Sequence, residues 1–325
     1  LSVDDKLAAE AVEAFNASED VYAGYAMSKL QMSKLMVLFG LRYEFTKVSY
    51  ESSEVIYNFE GELQDILPVS GSTDYAYLLP QLHLKYQLDE LTNLRFAATQ
   101  SYARPNFQDI VPSQEIDFNA REGTIGNPGL TPVSATNLDF MAEHYFGNVG
   151  ILSGGFFYKR LDDFIFNRRT TVDNFPGAEG VELQITQAQN GDEANLLGVE
   201  LAYQQNLTFL PGFLKGLSVY ANYTYTSSKA TIQSREEDTG TEEIRLPGQA
   251  KSVGNLSLAY DLKRFNIRIS SNFNGEYMSE VGDNASEDLF VKDRIQVDAT
   301  AMFTISPKFR VFAEFLNITN QPFEV

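Results

Sequence analysis

The strongest constraint on this fold is a period-two alternation of side chains that runs on for longer than a soluble strand usually does. From Phe265 to Tyr277 the odd positions are mostly apolar or aromatic, and the even positions carry Asn, Arg, Ser and Glu. Strands in globular proteins are usually about five or six residues long, whereas a tilted strand needs roughly 9–11 residues to cross a bilayer. The segment therefore predicts a strand with one face in lipid and the other in water.

The same alternation recurs in segments 137–146, 217–226, 255–260 and 295–303. In each of them the polar face consists of Asn, Ser, Thr, Gln and charged residues. Such a face suits a wet lumen better than contact with a second packed sheet. The pattern predicts an all-β protein, an antiparallel transmembrane β-barrel with about twelve strands.

The predicted connections alternate between short and long, as tight periplasmic turns and long outer loops do in outer-membrane barrels. Short connections are expected at Gln31–Lys34, Asp89–Thr92, Gly147–Asn148, Asp261–Arg264 and Ser306–Lys308. Long ones are expected at about 50–74, 104–134, 168–194, 230–248 and 279–292.

One segment reads as a helix. Asp4 and Asp5 can cap it, and Leu7, Ala11 and Phe15 fall at helical spacing. The sequence thus predicts a helical outer-loop segment over residues 1–20, followed by barrel strands over 21–325.

Composition excludes several classes of function. The net charge of -19 argues against a nucleic-acid partner, which needs a basic surface. The absence of cysteine excludes disulfides, iron–sulfur clusters and thiol-rich zinc sites. The sequence contains no run of 18 apolar residues, so no transmembrane helix is predicted.

An ordered series of segments resembles the barrel of TonB-dependent outer-membrane receptors, especially those of Bacteroidetes-like bacteria. The likeness runs from about Val21 to Asn320. It includes DVYAGYAMSKLQ, LLPQLHLKYQL, LRFAATQSYARPNFQDIVP, GNPGLTPVSATNLDF, GGFFYKRLDDFIF, LPGQAKSVGNLSLAY and FAEFLNITN.

The resemblance implies a fragment of a 22-stranded barrel, with the plug domain and the final strand expected to be absent. It implies energy-coupled uptake of a scarce nutrient across the outer membrane of a Gram-negative bacterium. The ligand would be an iron chelate, a corrinoid, an oligosaccharide or a peptide. The implied partners are outer-membrane lipid and lipopolysaccharide, the inner-membrane TonB complex acting through the missing plug, and a surface lipoprotein.

Six residues are candidates for contact with the ligand. The lumen-facing charges Arg95, Glu143, Arg268 and Asp298 are predicted to touch passing solute. Arg104 and Asn106 begin a long outer loop, where a ligand would first be held.

No catalytic residue, metal site or cofactor is predicted, and the chain is not expected to be an enzyme. His83 and His144 lie far apart in the sequence with no further ligands in view. Asp162 and Asp163 are adjacent on a strand, so their side chains point to opposite faces and cannot act as a carboxylate pair. They are expected to mark the point where that strand leaves the membrane zone.

Two other classes of protein remain open at this point. A passive porin-like barrel would show the same loop alternation without a plug upstream. A soluble all-β glycan-binding module would bury its apolar faces between two sheets and would dissolve without detergent.

Overall fold

The computed structural model describes residues 14–57, 63–117, 119–147, 150–175, 180–235 and 240–324. In the first half of the chain the elements are β1 (Asn16–Met32), β2 (Leu35–Tyr57), β3 (Leu63–Gln87), β4 (Thr92–Ala103), α1 (Phe107–Ile110), β5 (Gln114–Asp117), β6 (Glu122–Ile125), β7 (Val133–Tyr145) and β8 (Gly150–Asp162).

In the second half they are β9 (Ile165–Val172), β10 (Leu183–Asn190), β11 (Glu193–Asn206), a 3₁₀ helix (Gly212–Gly216), β12 (Leu217–Gln233), β13 (Thr241–Ile244), β14 (Ser252–Leu262), β15 (Phe265–Asn274), β16 (Tyr277–Glu280), β17 (Leu289–Val291), β18 (Arg294–Ser306) and β19 (Phe309–Phe315).

One 13-stranded antiparallel sheet forms the frame of the protein. Its strands follow the order β1-β2-β3-β4-β7-β8-β11-β12-β14-β15-β18-β19, with β13 paired to β12 off this path. The path without β13 therefore has 13 − 1 = 12 strands, which confirms the predicted number. Each strand on it pairs with the strands before and after it on the path, as expected of an up-and-down barrel wall.

The two faces of this sheet differ as the alternation predicted. Leu256, Leu258 and Ile269 are each about half exposed on one face, although they are apolar. Residues that stand directly opposite on antiparallel strands share a face, so the pairing of Leu258 with Ile269 continues this apolar surface across β14 and β15. The other face carries Asn255, Ser257 and their neighbours.

Several predicted boundaries are wrong. The N-terminal strand begins at Asn16, so 16–20 is strand rather than the end of a helix; the rest of the predicted helix, up to residue 13, lies outside the described residues. The segment 265–277 is interrupted at Gly275, where a Cβ atom would lie 2.9 Å from the backbone oxygen of Ser252. Most of the predicted long loop at 50–74 is instead a continuation of the β2–β3 hairpin.

The described parts of the remaining long connections contain further strands. A four-stranded sheet in the order β5-β6-β10-β9 joins the β4–β7 and β8–β11 connections, and β6 pairs with β10 in parallel. The β16–β17 hairpin joins this sheet through a bridge between Arg168 and Val281. We call these elements, with α1 and β13, the outer cap.

The described chain has three apolar cores, two where the outer cap packs against wall strands and one within the cap. One core includes Phe164, Phe166, Ile232, Met278 and Val281, all almost fully buried. Two smaller ones centre on Val48 with Ile110 and Leu130, and on Leu183 with Ile185. The cap is therefore a packed structure, not a set of independent loops.

Candidate ligand-binding surfaces

A polar trough follows the polar face of β11, β12, β14, β15 and β18. It encloses about 720 Å³. Amide and hydroxyl side chains dominate its lining, which includes Gln204, Asn206, Ser218, Tyr220, Asn222, Asn255, Ser257, Ser270 and Asn272, together with Asp261, Arg268 and Asp298.

A row of amides crosses the trough. Asn222, Asn255, Asn272 and Gln296 stand opposite one another on β12, β14, β15 and β18. Nδ2 of Asn255 donates to Oδ1 of Asn222 at 3.0 Å, and Nδ2 of Asn272 donates to Oδ1 of Asn255 at 2.7 Å. Because an amide both donates and accepts, the row can meet hydroxyls, amides or water without needing a counter-charge.

The structure brings Arg268 and Asp298 to this trough, as the alternation predicted. Arg268 is exposed and forms no ion pair within the described residues. Asp298 accepts hydrogen bonds from Nε2 of Gln296 at 3.0 Å and from the backbone N–H of Asn317 at 2.8 Å. Arg268 is therefore available to solute, whereas Asp298 also anchors the chain that follows β19.

Arg95 and Glu143 form a separate pair on β4 and β7. Nε of Arg95 lies 2.8 Å from Oε1 of Glu143, and Oη of Tyr145 donates to Oε2 of the same carboxylate at 3.2 Å. Four strands of the sheet path separate this pair from β15. The six predicted contacts thus do not converge on one site.

Arg104 lies where two strands separate. The pairing of β3 with β4 runs from Gln87↔Asn93 to Gln81↔Thr99 and ends there. Beyond this point β3 remains paired with β2, and β4 remains paired with β7. Side chains take the place of backbone hydrogen bonds above that level. We call this region the β3–β4 seam.

The seam holds a compact set of ionic contacts. Nε of Arg104 lies 2.7 Å from Oε1 of Glu19, and its Nη2 lies 2.6 Å from Oε1 of Glu44. Nε of Arg42 donates to the other oxygen of Glu44 at 2.8 Å, and the hydroxyl of Tyr102 donates to Glu44 as well. Two arginines meet two glutamates, so Arg104 does not offer an unbalanced positive charge.

Aromatic rings complete the seam. Tyr77 and Tyr102 stack with their centroids 4.3 Å apart, and Tyr75 meets Tyr102 edge-on at 6.1 Å. The guanidinium carbon of Arg104 lies 5.1 Å from the centre of the Tyr102 ring. Sequence reasoning did not single out these tyrosines; the period-two spacing of Tyr75 and Tyr77 was the available signal.

A mixed pocket of about 380 Å³ lies beside the seam, between the sheet and the outer cap. Arg104 and Asn106, both predicted contacts, lie on its polar side with Asp109. Nδ2 of Asn106 donates to Oδ2 of Asp109 at 3.0 Å. The apolar side is formed by Val133, Leu161, Phe164, Ile165 and Leu246.

A buried ion pair connects elements of the outer cap. Arg235 and Asp288 are 4% and 6% exposed, and Nη1 of the arginine lies 2.5 Å from Oδ1 of the aspartate. Nε of Arg235 also donates to Oε1 of Glu242 at 2.6 Å. Burial works to lower the pKa of Arg235, but these carboxylates outweigh it and hold the pKa above its usual range. The contacts tie β13 to the β16–β17 hairpin.

Other sequence-level candidates are placed as follows. β8 ends at Asp162, and Asp163 follows outside the strand with a positive φ of 58°, so the expectation that both aspartates lie on one strand is wrong. Within the described ranges no three His, Cys, Asp or Glu side chains are grouped to hold a metal ion. No helix among the described residues has the length and apolar character needed to cross a membrane.

Comparison with known proteins identifies the same architecture elsewhere. A family model described as TonB dependent receptor-like, beta-barrel, matches residues 7–318. The ferric-catecholate import receptor Fiu from E. coli K12 aligns at 14% identity with a TM-score of 0.66, over 94% of this chain and 41% of that one.

Two further structures give similar values. The ferric yersiniabactin uptake receptor FyuA from Yersinia pestis is 15% identical (TM-score 0.65), over 95% of this chain and 42% of that one. The copper transporter OprC is 14% identical (TM-score 0.66), over 95% of this chain and 43% of that one. The chain therefore spans less than half the length of each, and at these identities the likeness concerns the fold.

Proposed function

Because its model matches residues 7–318, this chain belongs to the TonB-dependent receptor-like β-barrel family, and we propose that it forms part of the wall of a receptor for energy-coupled nutrient uptake. The proposed location is the outer membrane of a Gram-negative bacterium. The observation that carries the proposal is the two-faced sheet: half-exposed apolar side chains such as Leu258 and Ile269 on one side, and the polar trough on the other.

Metal chelates are the first ligand class to test. The similar structures are named as a ferric-catecholate import receptor, a ferric yersiniabactin uptake receptor and a copper transporter. Corrinoids, oligosaccharides and peptides remain the other classes that the family resemblance implies.

Two stages of ligand contact are proposed. The pocket beside Arg104 and Asn106 lies next to the outer cap, where a ligand arrives first, and its apolar side suits a ligand that is only partly polar. The trough with Arg268 and Asp298 lies deeper along the strands, and the Arg95–Glu143 pair is a further lumen contact. In this role the residues bind and guide solute, and none is proposed to catalyse a reaction.

The proposed partners are those of an energised receptor. An inner-membrane TonB complex would act through a plug domain, and a surface lipoprotein could share capture of the ligand at the outer cap. A soluble glycan-binding module is disfavoured, because it would leave the apolar face of the sheet in water.

The function is tested in cells that express the full-length receptor containing this chain. Accumulation of iron-55 supplied as a ferric catecholate, and of copper-64, is measured with and without a protonophore. We expect the receptor to raise accumulation of at least one probe and the protonophore to abolish that rise. Receptor-dependent uptake that persists without a proton gradient would favour the passive, porin-like alternative and contradict energy coupling.

Substitution then locates the ligand contacts. Arg268→Gln combined with Asn106→Ala is expected to lower uptake of the active probe severalfold. Lys229→Gln, an exposed change in the outer part of β12, serves as the control. Unchanged uptake by the double variant would remove both residues from the proposed path.

A further inference from the structure

Five exposed cations, unpaired within the described chain, are grouped at three neighbouring turns of the sheet, although the chain as a whole carries a net charge of -19. The β11–β12, β14–β15 and β18–β19 turns hold four exposed cations, Lys215, Lys263, Arg264 and Lys308, and a fifth, Arg310, follows at the start of β19. None of the five forms an ion pair with another described residue. Repulsion among unpaired like charges favours an anionic partner at this place.

The three turns form one continuous surface. A Cβ atom on Gly216 would lie 2.3 Å from the backbone oxygen of Asp261, so the first turn packs closely on the second. The backbone N–H of Thr304 donates to the oxygen of Arg264 at 2.7 Å, which joins the second turn to the third. Successive hairpins of a sheet are about 10 Å apart, so the cations share one stretch of the rim.

Exposed aromatic side chains accompany these cations. Phe209, Phe213 and Phe309 are each 69% exposed, a large fraction for phenylalanine. The β11–β12 turn that carries two of them is ordered by hydrogen bonds from Leu207 N to Leu217 O at 2.8 Å and from Leu214 N to Pro211 O at 3.3 Å. Its phenylalanines are thus held in the open by a defined turn.

The neighbouring wall continues the apolar surface up to these turns. Leu262 and Phe265 flank the β14–β15 turn, and Phe303 stands opposite Phe265 on β18; all three are more than a third exposed. Aromatic side chains next to Lys and Arg are typical of the boundary between hydrocarbon and headgroups. The cations therefore lie at the level where lipid phosphates are expected.

Another turn at the same end lacks this chemistry. The β3–β4 turn exposes Leu88 and Leu91 but carries Asp89 and Glu90 instead of cations. A cationic rim is therefore a property of this sector of the wall and not of every short turn.

We propose that residues 207–216, 261–265 and 306–310 form a binding surface for the phosphate headgroups of anionic phospholipids, with Phe209 and Phe213 inserted among the lipid chains. The proposal rests on the membrane location given under the proposed function. It adds a lipid-selective contact on the leaflet that faces the short turns.

The test uses the full-length receptor in phosphatidylcholine vesicles with nitroxide-labelled phosphatidylglycerol or phosphatidylcholine. Electron paramagnetic resonance gives the relative association of each lipid with the protein. The test variant carries Lys263→Gln, Arg264→Gln, Lys308→Gln and Arg310→Gln. The control carries Lys229→Gln, Arg245→Gln, Lys251→Gln and Lys292→Gln, all outside the three turns.

The unaltered receptor and the control are expected to prefer phosphatidylglycerol. In the test variant this preference, measured as the ratio of phosphatidylglycerol to phosphatidylcholine association, should be at least about fivefold smaller. One Lys or Arg near an anionic lipid surface contributes roughly that factor. Equal preference in test variant and control would overturn the proposal. A receptor that does not insert into vesicles at all would instead contradict the membrane location.

The depth of the turn is measured independently with Phe213→Trp, using the unaltered receptor as the fluorescence baseline. We expect brominated lipid to quench the fluorescence of the introduced tryptophan and acrylamide to quench it only slightly. Strong quenching by acrylamide would contradict insertion into lipid. Protection from both quenchers would mean that protein covers the turn, which would also overturn the proposal.

Discussion

At the scale of single residues, two ion pairs that involve the outer cap differ sharply in burial. Arg235 and Asp288 are nearly inaccessible to water, whereas the Lys229–Glu243 pair at 2.9 Å is 72% and 66% exposed. A buried charge that loses its partner is strongly destabilising, and an exposed pair contributes little. The two pairs therefore form a matched test of which contacts hold the cap.

We expect Arg235→Met to raise local opening of the cap, at a cost of about 3–5 kcal/mol, because it leaves Asp288 buried without a counter-charge. Lys229→Met is expected to cost about 0–1 kcal/mol. Hydrogen exchange of the β13 and β17 amides in the purified receptor measures both. Similar exchange rates in the two variants would mean that the Arg235 contacts do not hold these elements together.

At the scale of elements, the β3–β4 seam is a place where side chains replace a strand pairing. Tyr77 and Tyr102 stack across it, and Oη of Tyr77 donates to the backbone oxygen of Pro132 at 3.3 Å. Stacked aromatic pairs contribute about 0.5–1.5 kcal/mol beyond the area that they bury. The upper part of β3 is therefore expected to depend on these rings for its attachment to β4.

A double-mutant cycle with Tyr77→Ala and Tyr102→Ala tests this dependence. We expect a coupling energy of about 0.5–1.5 kcal/mol, read from exchange of the β3 amides above Gln81. Tyr43→Ala, on the neighbouring β2 and 53% exposed, is the control and should not couple to Tyr102. A coupling energy of zero would show that the two stacked rings contribute independently.

The wall strands could be predicted from the sequence because each of their faces meets a uniform environment. In the proposed membrane location, lipid selects the same kind of residue along one face of 265–273, and a wet lumen selects another kind along the other face. The outer cap could not be predicted in this way. Its β6–β10 pairing and its Arg235–Asp288 contact join segments far apart in the chain, and no local period records such contacts.

The candidate site was predictable to the same extent. Alternation placed Arg268 and Asp298 on the polar face because side-chain direction follows from parity along a strand. It could not show that Arg104 is balanced by Glu19 and Glu44, since those partners come from β1 and β2.

At the scale of the whole molecule, the yield of folded receptor should depend more on which face of the sheet carries an added charge than on the position of that charge along the chain. Ile269→Arg puts a guanidinium on the lipid face of β15, where the cost at mid-depth is about 2–4 kcal/mol. Ser270→Arg, one residue later, points into the trough. We expect only the first variant to lower the yield of folded receptor in vesicles, measured by resistance to unfolding in cold detergent on gels. Equal yields would argue against the assignment of the two faces.

Apolar clusters bury residues of the outer cap together with the outer ends of β2, β11 and β12, whereas the rest of the wall turns apolar side chains such as Leu258 outward. The cap and these strand ends share a solvent-excluded interior, so their integrity should respond to temperature and denaturant as a small water-soluble domain does. In the proposed membrane location, the rest of the wall takes its cohesion from backbone pairing and from the surrounding hydrocarbon. Changing the detergent should consequently shift the melting of one layer and leave the other almost unaffected, giving two transitions in a single chain.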